Sequence, residues 1–402
     1  MRRQFTKRSI ASLCTLVSSG GTPYRDNERF WANGTIPWFK TGELNDGWLD
    51  DSEEKITEEG LNNSAAKMFP VNTVLMAMYG DGKTITSLGI LRNPATTNQA
   101  CCAMIADPSQ CDYRFLFYKL MNVRSALLKL VVAGAQRNLS ARIIKNFEIE
   151  VPEVPLQAAI ADILSAYDDL IENNRRRIAL LEQAARMLYR EWFVYFRFPG
   201  HEHVKIIDGL PEGWEGVTLG QVAETNNATY GAKDLPEQIN YIDISSVTQG
   251  RIESKTVLSA RDAPGRARRR VKDGDVIWSN VRPNLRAYAL VLQPNEADVF
   301  STGFTVLSGK SVPFSWLYLQ VTTDGFVGHL INHATGAGYP AVRPDDFQRA
   351  SVLLPPRALL DHFHNAAEPN FRLIAKLEQQ NLALAQARDL LLPRLMSGEI
   401  AV

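Results

Sequence analysis

Two segments of the chain carry a long helical pattern of apolar positions. Between Leu156 and Phe198 there is no Gly or Pro, and Ile171, Ile178, Leu181, Ala185, Leu188 and Trp192 recur at spacings of three, four or seven. Polar runs such as "ENNRRR" fill the opposite face. Near the C-terminus Ile374, Leu377, Leu384, Leu391 and Leu395 recur in the same way, with Asn381 and Arg388 interrupting the stripe. This is the pattern of a coiled-coil seam whose polar positions fix register. Proline is at home in a first helical turn, so Pro369 is expected to mark a joint between a shorter helix, at about residues 357–368, and the long one. Each helix ends its own half of the chain, and each can give the other a partner.

Elsewhere the pattern is one of short alternating runs divided by Gly, Asn, Asp and Pro, which predicts strands. These runs repeat about 200 residues apart. "IPWFKTGELNDG" (36–47) matches "INYIDISSVTQG" (239–250), and "FPVNTVLMAMYGDG" (69–82) matches "VKDGDVIWSNVRPN" (271–284). "TTNQACCAMI" (96–105) lines up with "FSTGFTVLSG" (300–309), and "GAQRNLSARIIKNF" (134–147) with "GAGYPAVRPDDF" (336–347). A helix fits near 113–131, with a counterpart at 314–331. Each half then closes on the same junction: "NFEIEVPEVPLQAAIADIL" from Asn146 and "DFQRASVLLPPRALLDHFH" from Asp346. In both, an aromatic opens a strand-like run, two prolines close it and a helical pattern follows. A period this long means a duplicated domain, not a solenoid.

The totals fit that picture. A chain of 402 residues suits two domains plus connectors. No segment approaches the run of about 18 apolar residues that a membrane span needs. The basic N-terminus, "MRRQFTKRSIASLCTLVSS", has its apolar part broken by Ser, Thr and Cys, so a signal peptide is not expected and a cytoplasmic location is. Cys14, Cys101, Cys102 and Cys111 form no CxxC pair and are expected as buried, reduced thiols. Basic and acidic residues balance at 44 each, but they are segregated. Residues 43–59 hold eight acids and one Lys, and "RDAPGRARRRVK" (261–272) holds six basic residues and one acid. Such segregation lets a neutral protein offer a basic face to a polyanion; two solvated loops would look the same.

The order β-rich domain, long helix, β-rich domain, long helix resembles the specificity (S) subunit of type I restriction-modification enzymes. The particular pieces are "LYREWFVYF" (188–196), "LPEGWEGVTLGQVAE" (210–224), "LLLPRLMSGEI" (390–400), "TNQAC" (97–101) and the GAQ and GAG turns. The sequence departs from the family in lacking Glu-Gln after the paired prolines and in having no Gln in its second GA-turn. The resemblance implies an α+β fold: two mostly-β target recognition domains, each followed by a long helix, the two helices pairing as an antiparallel coiled coil. The implied division is 1–150 and 206–350 for the recognition domains, with helical spacers at 151–205 and 351–402. It further implies that each domain reads one half of a split, asymmetric DNA site. A helix from about Leu170 to Phe193 spans roughly 35 Å, close to the roughly 34–36 Å of one turn of B-DNA.

On that reading, Lys and Arg hold phosphates and polar side chains read base edges. The first domain offers Lys40, Tyr79, Lys83, Thr84, Asn98, Gln99, Gln136 and Arg137. The second offers Asn280, Arg282, Asn284, Arg286, Ser301, Thr302, Tyr339 and Arg343, with Arg266, Arg268, Arg269 and Arg270 better suited to clamping phosphate. No catalytic constellation is found. "NPAT" (93–96) lacks the second proline and the aromatic of an adenine-methyltransferase motif, Walker A is absent, and the six histidines lack the Glu and third ligand of a zinc site. The chain is therefore expected to be non-catalytic and to hold no cofactor or metal. The resemblance assigns S-adenosylmethionine to two modification subunits, and ATP and Mg²⁺ to restriction subunits. Trp192 and Phe193, in "REWFVYFRF", are expected to be exposed and to dock the modification subunit. Two rivals stay open: a stand-alone two-domain DNA-binding regulator without enzymatic partners, and a β scaffold whose helices merely dimerise.

Overall fold

The computed structural model describes residues 5–80, 84–133, 138–231 and 234–402. It is mixed helix and sheet and divides into two compact units, Met1–Asn174 with Gln380–Val402, and Arg175–Gln379. In the first unit a five-stranded sheet runs in the order Cys14–Ser19, Cys101–Ala106, Val74–Ala77, Leu88–Leu91, Gly47–Leu49. A second sheet of three strands has Ile36–Phe39 between Glu54–Ile56 and Thr96–Thr97. Val74–Ala77 and Leu88–Leu91 are buried along their whole length, which is why they read as continuous apolar runs. Helix Tyr113–Asn122 packs Phe115, Leu116 and Leu120 into the core they form. It starts at Asp112, whose carboxylate accepts from the Arg114 and Phe115 amides.

The second unit repeats this plan. Phe304–Gly309 and Tyr288–Val291 flank Asp275–Ser279 as Cys101–Ala106 and Leu88–Leu91 flank Val74–Ala77. The duplication extends to single hydrogen bonds. Ala77 N donates to Ser87 O at 2.9 Å, and Ser279 N to Ala287 O at 2.8 Å. Met78 N donates to Ala100 O and Asn280 N to Gly303 O, both at 2.8 Å. Leu139 N donates to Met78 O at 3.0 Å, and Val342 N to Asn280 O at 2.9 Å.

These bonds correct two matches drawn from the sequence. Cys101 lies opposite Ala77 and Phe304 opposite Ser279, so residues 97–106, not 96–105, correspond to 300–309. At the junction, Ile10 N donates to Phe147 O where Leu219 N donates to Ala350 O, which makes Ala350 the counterpart of Phe147. Phe347 instead sits in helix Pro344–Gln348 and is fully buried there. Pro344 at the helix start, and the Asp346 carboxylate accepting from Arg343 N at 2.7 Å, commit that segment to a helical turn before the strand begins.

The long helices run Val154–Tyr189, extended by a π-helical turn at Arg190–Val194, and Arg357–Met396. No joint occurs at Pro369, which lies within one continuous helix. Its ring and the Asn365 carbonyl that loses its donor are both on the exposed side, where water can satisfy the carbonyl. The pairing is antiparallel. In the first unit, Ile160, Ala161 and Leu164 share a core with Leu392, Leu395 and Met396, while Asn174 lies at Asn381. In the second, Tyr189 lies 6.2 Å from Phe363 and Trp192 5.2 Å from His362, with Ile178 and Ala185 in the same core as Ile374 and Leu377.

The polar interruptions of the stripe meet partners across the seam. Asn174 Nδ2 donates to Asn381 Oδ1 at 3.0 Å. The Arg388 guanidinium donates to the Asp168 carboxylate, which also accepts from the Tyr118 hydroxyl of helix Tyr113–Asn122. Burial, together with the Asp168 charge, pushes the Tyr118 phenol far up, so it stays protonated and donates. Buried Lys119 donates to Met396 O at 3.2 Å and so caps the end of the second long helix. Asp168 therefore ties the first β-rich fold to both helices. Asp168→Asn, which leaves Arg388 with a weakened partner in a half-buried site, is expected to cost about 2–3 kcal/mol. The check is the shift of the urea unfolding midpoint.

Candidate nucleic-acid interface

In the second unit a chain of bonds draws five of the expected side chains together. Thr302 N donates to Arg266 O at 2.7 Å, and Asn280 Nδ2 reaches Thr302 O at 3.5 Å. Two residues on, Arg282 N donates to Pro340 O at 2.7 Å, and the Arg282 guanidinium lies over the Tyr339 ring at 4.7 Å. Tyr339, Arg282, Asn284, Thr302 and Arg266 are exposed on this surface. Arg343 is also exposed, at the start of helix Pro344–Gln348, and Arg286 is held by Asp324. Two members of the expected set are committed inward. Ser301 is 2% exposed and its Oγ accepts from Gly303 N, and the Asn280 Oδ1 accepts from Thr305.

The same corner in the first unit is built from Met78–Gly80 and Asn98–Ala100. Tyr79 is exposed there, Thr84 half-buried, and Gln99 exposed with a bond to the Thr22 hydroxyl. Asn98 Oδ1 accepts from Ala100 N and so holds its own turn. Asn98 N bonds Phe39 O, which brings Lys40 beside this corner, but the Lys40 ammonium is paired with Glu53 at 2.9 Å and Glu54 at 3.0 Å. Lys83, Gln136 and Arg137 lie outside the described residues.

The two charge runs differ in their pairing. Much of the acidic run is neutralised locally: Arg25 and Lys40 meet Glu54, Lys55 meets Asp51, Arg92 meets Asp50, and Arg124 meets Asp46. In the basic run, among the described residues, none of Arg268, Arg269 and Arg270 has a carboxylate in ion-pair range. Arg268 bonds the Ala267 carbonyl, and Arg270 lies over Tyr230 at 5.7 Å. Burial lowers the pKa of Arg269, whose Nε is buried without a partner. An unneutralised row of guanidiniums is suited to phosphates. Tyr230, the aromatic platform under Arg270, was missed in the sequence because it is 40 residues away in the chain.

Trp192 and Phe193 are not exposed. They are 7% and 6% accessible and sit in an aromatic cluster with Tyr189, Trp214 and Phe363, because the helical stripe carries them into the seam. The outward face of the helix is instead apolar at Leu180, Met187 and Val194, spaced by seven and at least half exposed. In the first unit Ile163 and Leu170 have the same spacing and are also exposed. A helix face of this kind offers a partner helix a seam.

Beneath the hairpin Val247–Ile252 of the second unit lies a cavity of about 380 Å³, lined by Glu182, Arg186, Arg251, Glu253 and Tyr318 among others. Burial first, then the neighbouring Glu182 and Glu253 charges, push the Glu378 carboxyl up to about 7 against the relief given by Arg251. The cysteines are free, and burial pushes the Cys101 and Cys102 thiols up to about 12. Among the described residues no group of His, Cys, Asp and Glu could hold a metal ion, and no helix is long and apolar enough to cross a membrane.

Residues 3–183 match the family described as type I restriction modification DNA specificity domain. Along nearly its whole length the chain is similar to the type I restriction enzyme MjaIX specificity subunit of Methanocaldococcus jannaschii: 24% identical, covering 96% of this chain and 91% of that one. It is 29% identical to the EcoR124I/EcoR124II specificity subunit of Escherichia coli over 192 residues, 46% of each chain. Its fold is that of the type I restriction-modification S subunit from M. genitalium, with a TM-score of 0.59 and 18% identity over 98% of this chain and 96% of that one. The first repeat is thus a DNA specificity domain. Along nearly its whole length the chain is thus similar to specificity subunits of type I restriction-modification systems, while the family match itself covers residues 3–183.

Two outcomes test this geometry. Trp192→Ala is expected to destabilise the isolated protein by about 3–4 kcal/mol, as read by denaturant unfolding, whereas Met187→Ala leaves the midpoint within error. A carboxyl raised from its usual 4.5 to about 7 stabilises the fold fully below pH 4.5 and loses that contribution as pH rises through 7. Glu378→Gln is therefore expected to flatten the stability profile between those pH values and to be more stable than the parent at pH 8 by about 2 kcal/mol.

Proposed function

We propose that this chain is a type I specificity subunit that reads a bipartite, asymmetric DNA site, one half with each repeat, and directs methyltransferase and restriction subunits to it. The observation that carries the proposal is the contrast between frame and display. The backbone bonds at Met78 and at Asn280 are the same, yet the corners they hold show Tyr79 and Gln99 in one repeat, and Arg282, Thr302 and Tyr339 in the other. Two copies of one frame with different exposed side chains suit two different half-sites. The unpaired arginines of residues 268–270 supply phosphate affinity, and the exposed apolar positions on the spacer helix supply a seam for a modification subunit. Methyl transfer with S-adenosylmethionine, and translocation and cleavage with ATP and Mg²⁺, belong on this reading to those partner chains.

Single-molecule sequencing of DNA methylation tests the proposal, comparing cells that carry this chain with its modification subunit and cells with the modification subunit alone. A new split motif with two defined ends and a fixed unspecified gap is the expected result. Co-purification of the two proteins without any motif would overturn it in favour of a regulator.

A further inference from the structure

The loop after strand Asp275–Ser279 holds two arginines, Arg282 (φ +51°) and Arg286 (φ +54°), in the left-handed region that residues with a side chain rarely adopt. Between them Pro283–Leu285 forms one tight helical turn. Its base is fixed: Pro283 is buried, Arg282 N bonds Pro340 O, and Arg286 is tied to Asp324. What the turn presents is Leu285, 61% exposed, beside exposed Asn284.

A lone exposed leucine is ordinary; this one is held out by a strained frame. The strain is duplicated. Thr86, one residue before Ser87 as Arg286 is one before Ala287, has φ +68° in the first repeat, where a β-branched residue is a genuine outlier. Backbone strain kept at matching positions of both copies points to a loop shaped for use. Around Leu285 stand Arg282 of the same loop, stacked on Tyr339, and Arg266 and Thr302 linked through Asn280, while the Asp324 carboxylate beside the turn is engaged by Arg286. In such surroundings the apolar feature available to a leucine is the thymine methyl group, which stands in the major groove.

We propose that Leu285 is a specificity-determining residue whose side chain packs on the 5-methyl group of one thymine in the half-site read by the second repeat. The proposal rests on the DNA-reading function above. The test uses the full chain with its modification subunit. Methylation motifs are compared for the parent, Leu285→Ser and Leu285→Met, and the purified complexes are then assayed on duplexes carrying deoxyuridine at each thymine of the motif. The parent is expected to lose about fourfold in methylation rate at one deoxyuridine position, the worth of one buried methyl group. Leu285→Ser relaxes the motif at that same position, keeps the other half and the gap, and no longer responds to the deoxyuridine. Leu285→Met keeps the parent motif. An unchanged motif in Leu285→Ser, a thymine-free second half-site, or loss of the whole motif with normal melting each overturns the proposal. A parent complex without any split motif would instead overturn the DNA-reading function itself.

Discussion

Each repeat is closed by a strand pair made from its own first and last segments. Thr6 lies opposite Val151 and Ser9 opposite Glu148; Thr218 lies opposite Ser351 and Glu215 opposite Leu354. The pairing brings together residues 145 apart in the first repeat, so it closes a long loop and fixes where the chain leaves the domain. Pro152 and Pro355, with no N–H to offer, follow immediately and end the ladder. The helix begins at Val154 in one copy and at Arg357 in the other. This is why the junction is written twice: a recognition fold can be docked on a helix only if its last strand is pinned beside its first.

The helices carry that anchoring further through polar contacts that a purely apolar seam would lack. Leucine and isoleucine fill the interface but tolerate slippage by a turn. Asn174 against Asn381, and Asp168 between Arg388 and Tyr118, are satisfied in one register only. Lys119 adds a buried cation at the carbonyl end of the second helix. In the second unit the equivalent role falls to shape, through the rings of Tyr189, Trp192, Phe193 and Phe363.

The architecture was legible because it rests on periodicities, and these survive divergence. The seam residues, the β-rich halves and the duplication all follow from spacing. Where the reading slipped, a local signal overrode the pattern. Phe347 looked like the match of Phe147, the residue just before the strand, but Pro344 and the capping Asp346 two residues on place it inside a helical turn, three residues ahead of the true counterpart Ala350. Pro369 looked like a joint, yet on the water side of a long packed helix one missing hydrogen bond is tolerated. Trp192 and Phe193 were read from their composition as a sticky surface, although the stripe that contains Trp192 already pointed inward. The interface was the least legible part. Asn98, Ser301 and Lys40 have the right chemistry, but neighbours claim that chemistry in the fold, and sequence does not show which side chains are already engaged.

All four cysteines lie in the first unit, and three of them are buried. The second unit has none. A thiol reagent added to the native protein reacts with Cys101, Cys102 or Cys111 only when that unit opens, since burial holds these groups as un-ionised thiols. Their labelling rate is a built-in clock for the breathing of one recognition fold, blind to the other. With it, the stiffening of the first repeat by a bound duplex or a docked subunit could be followed separately from that of its twin.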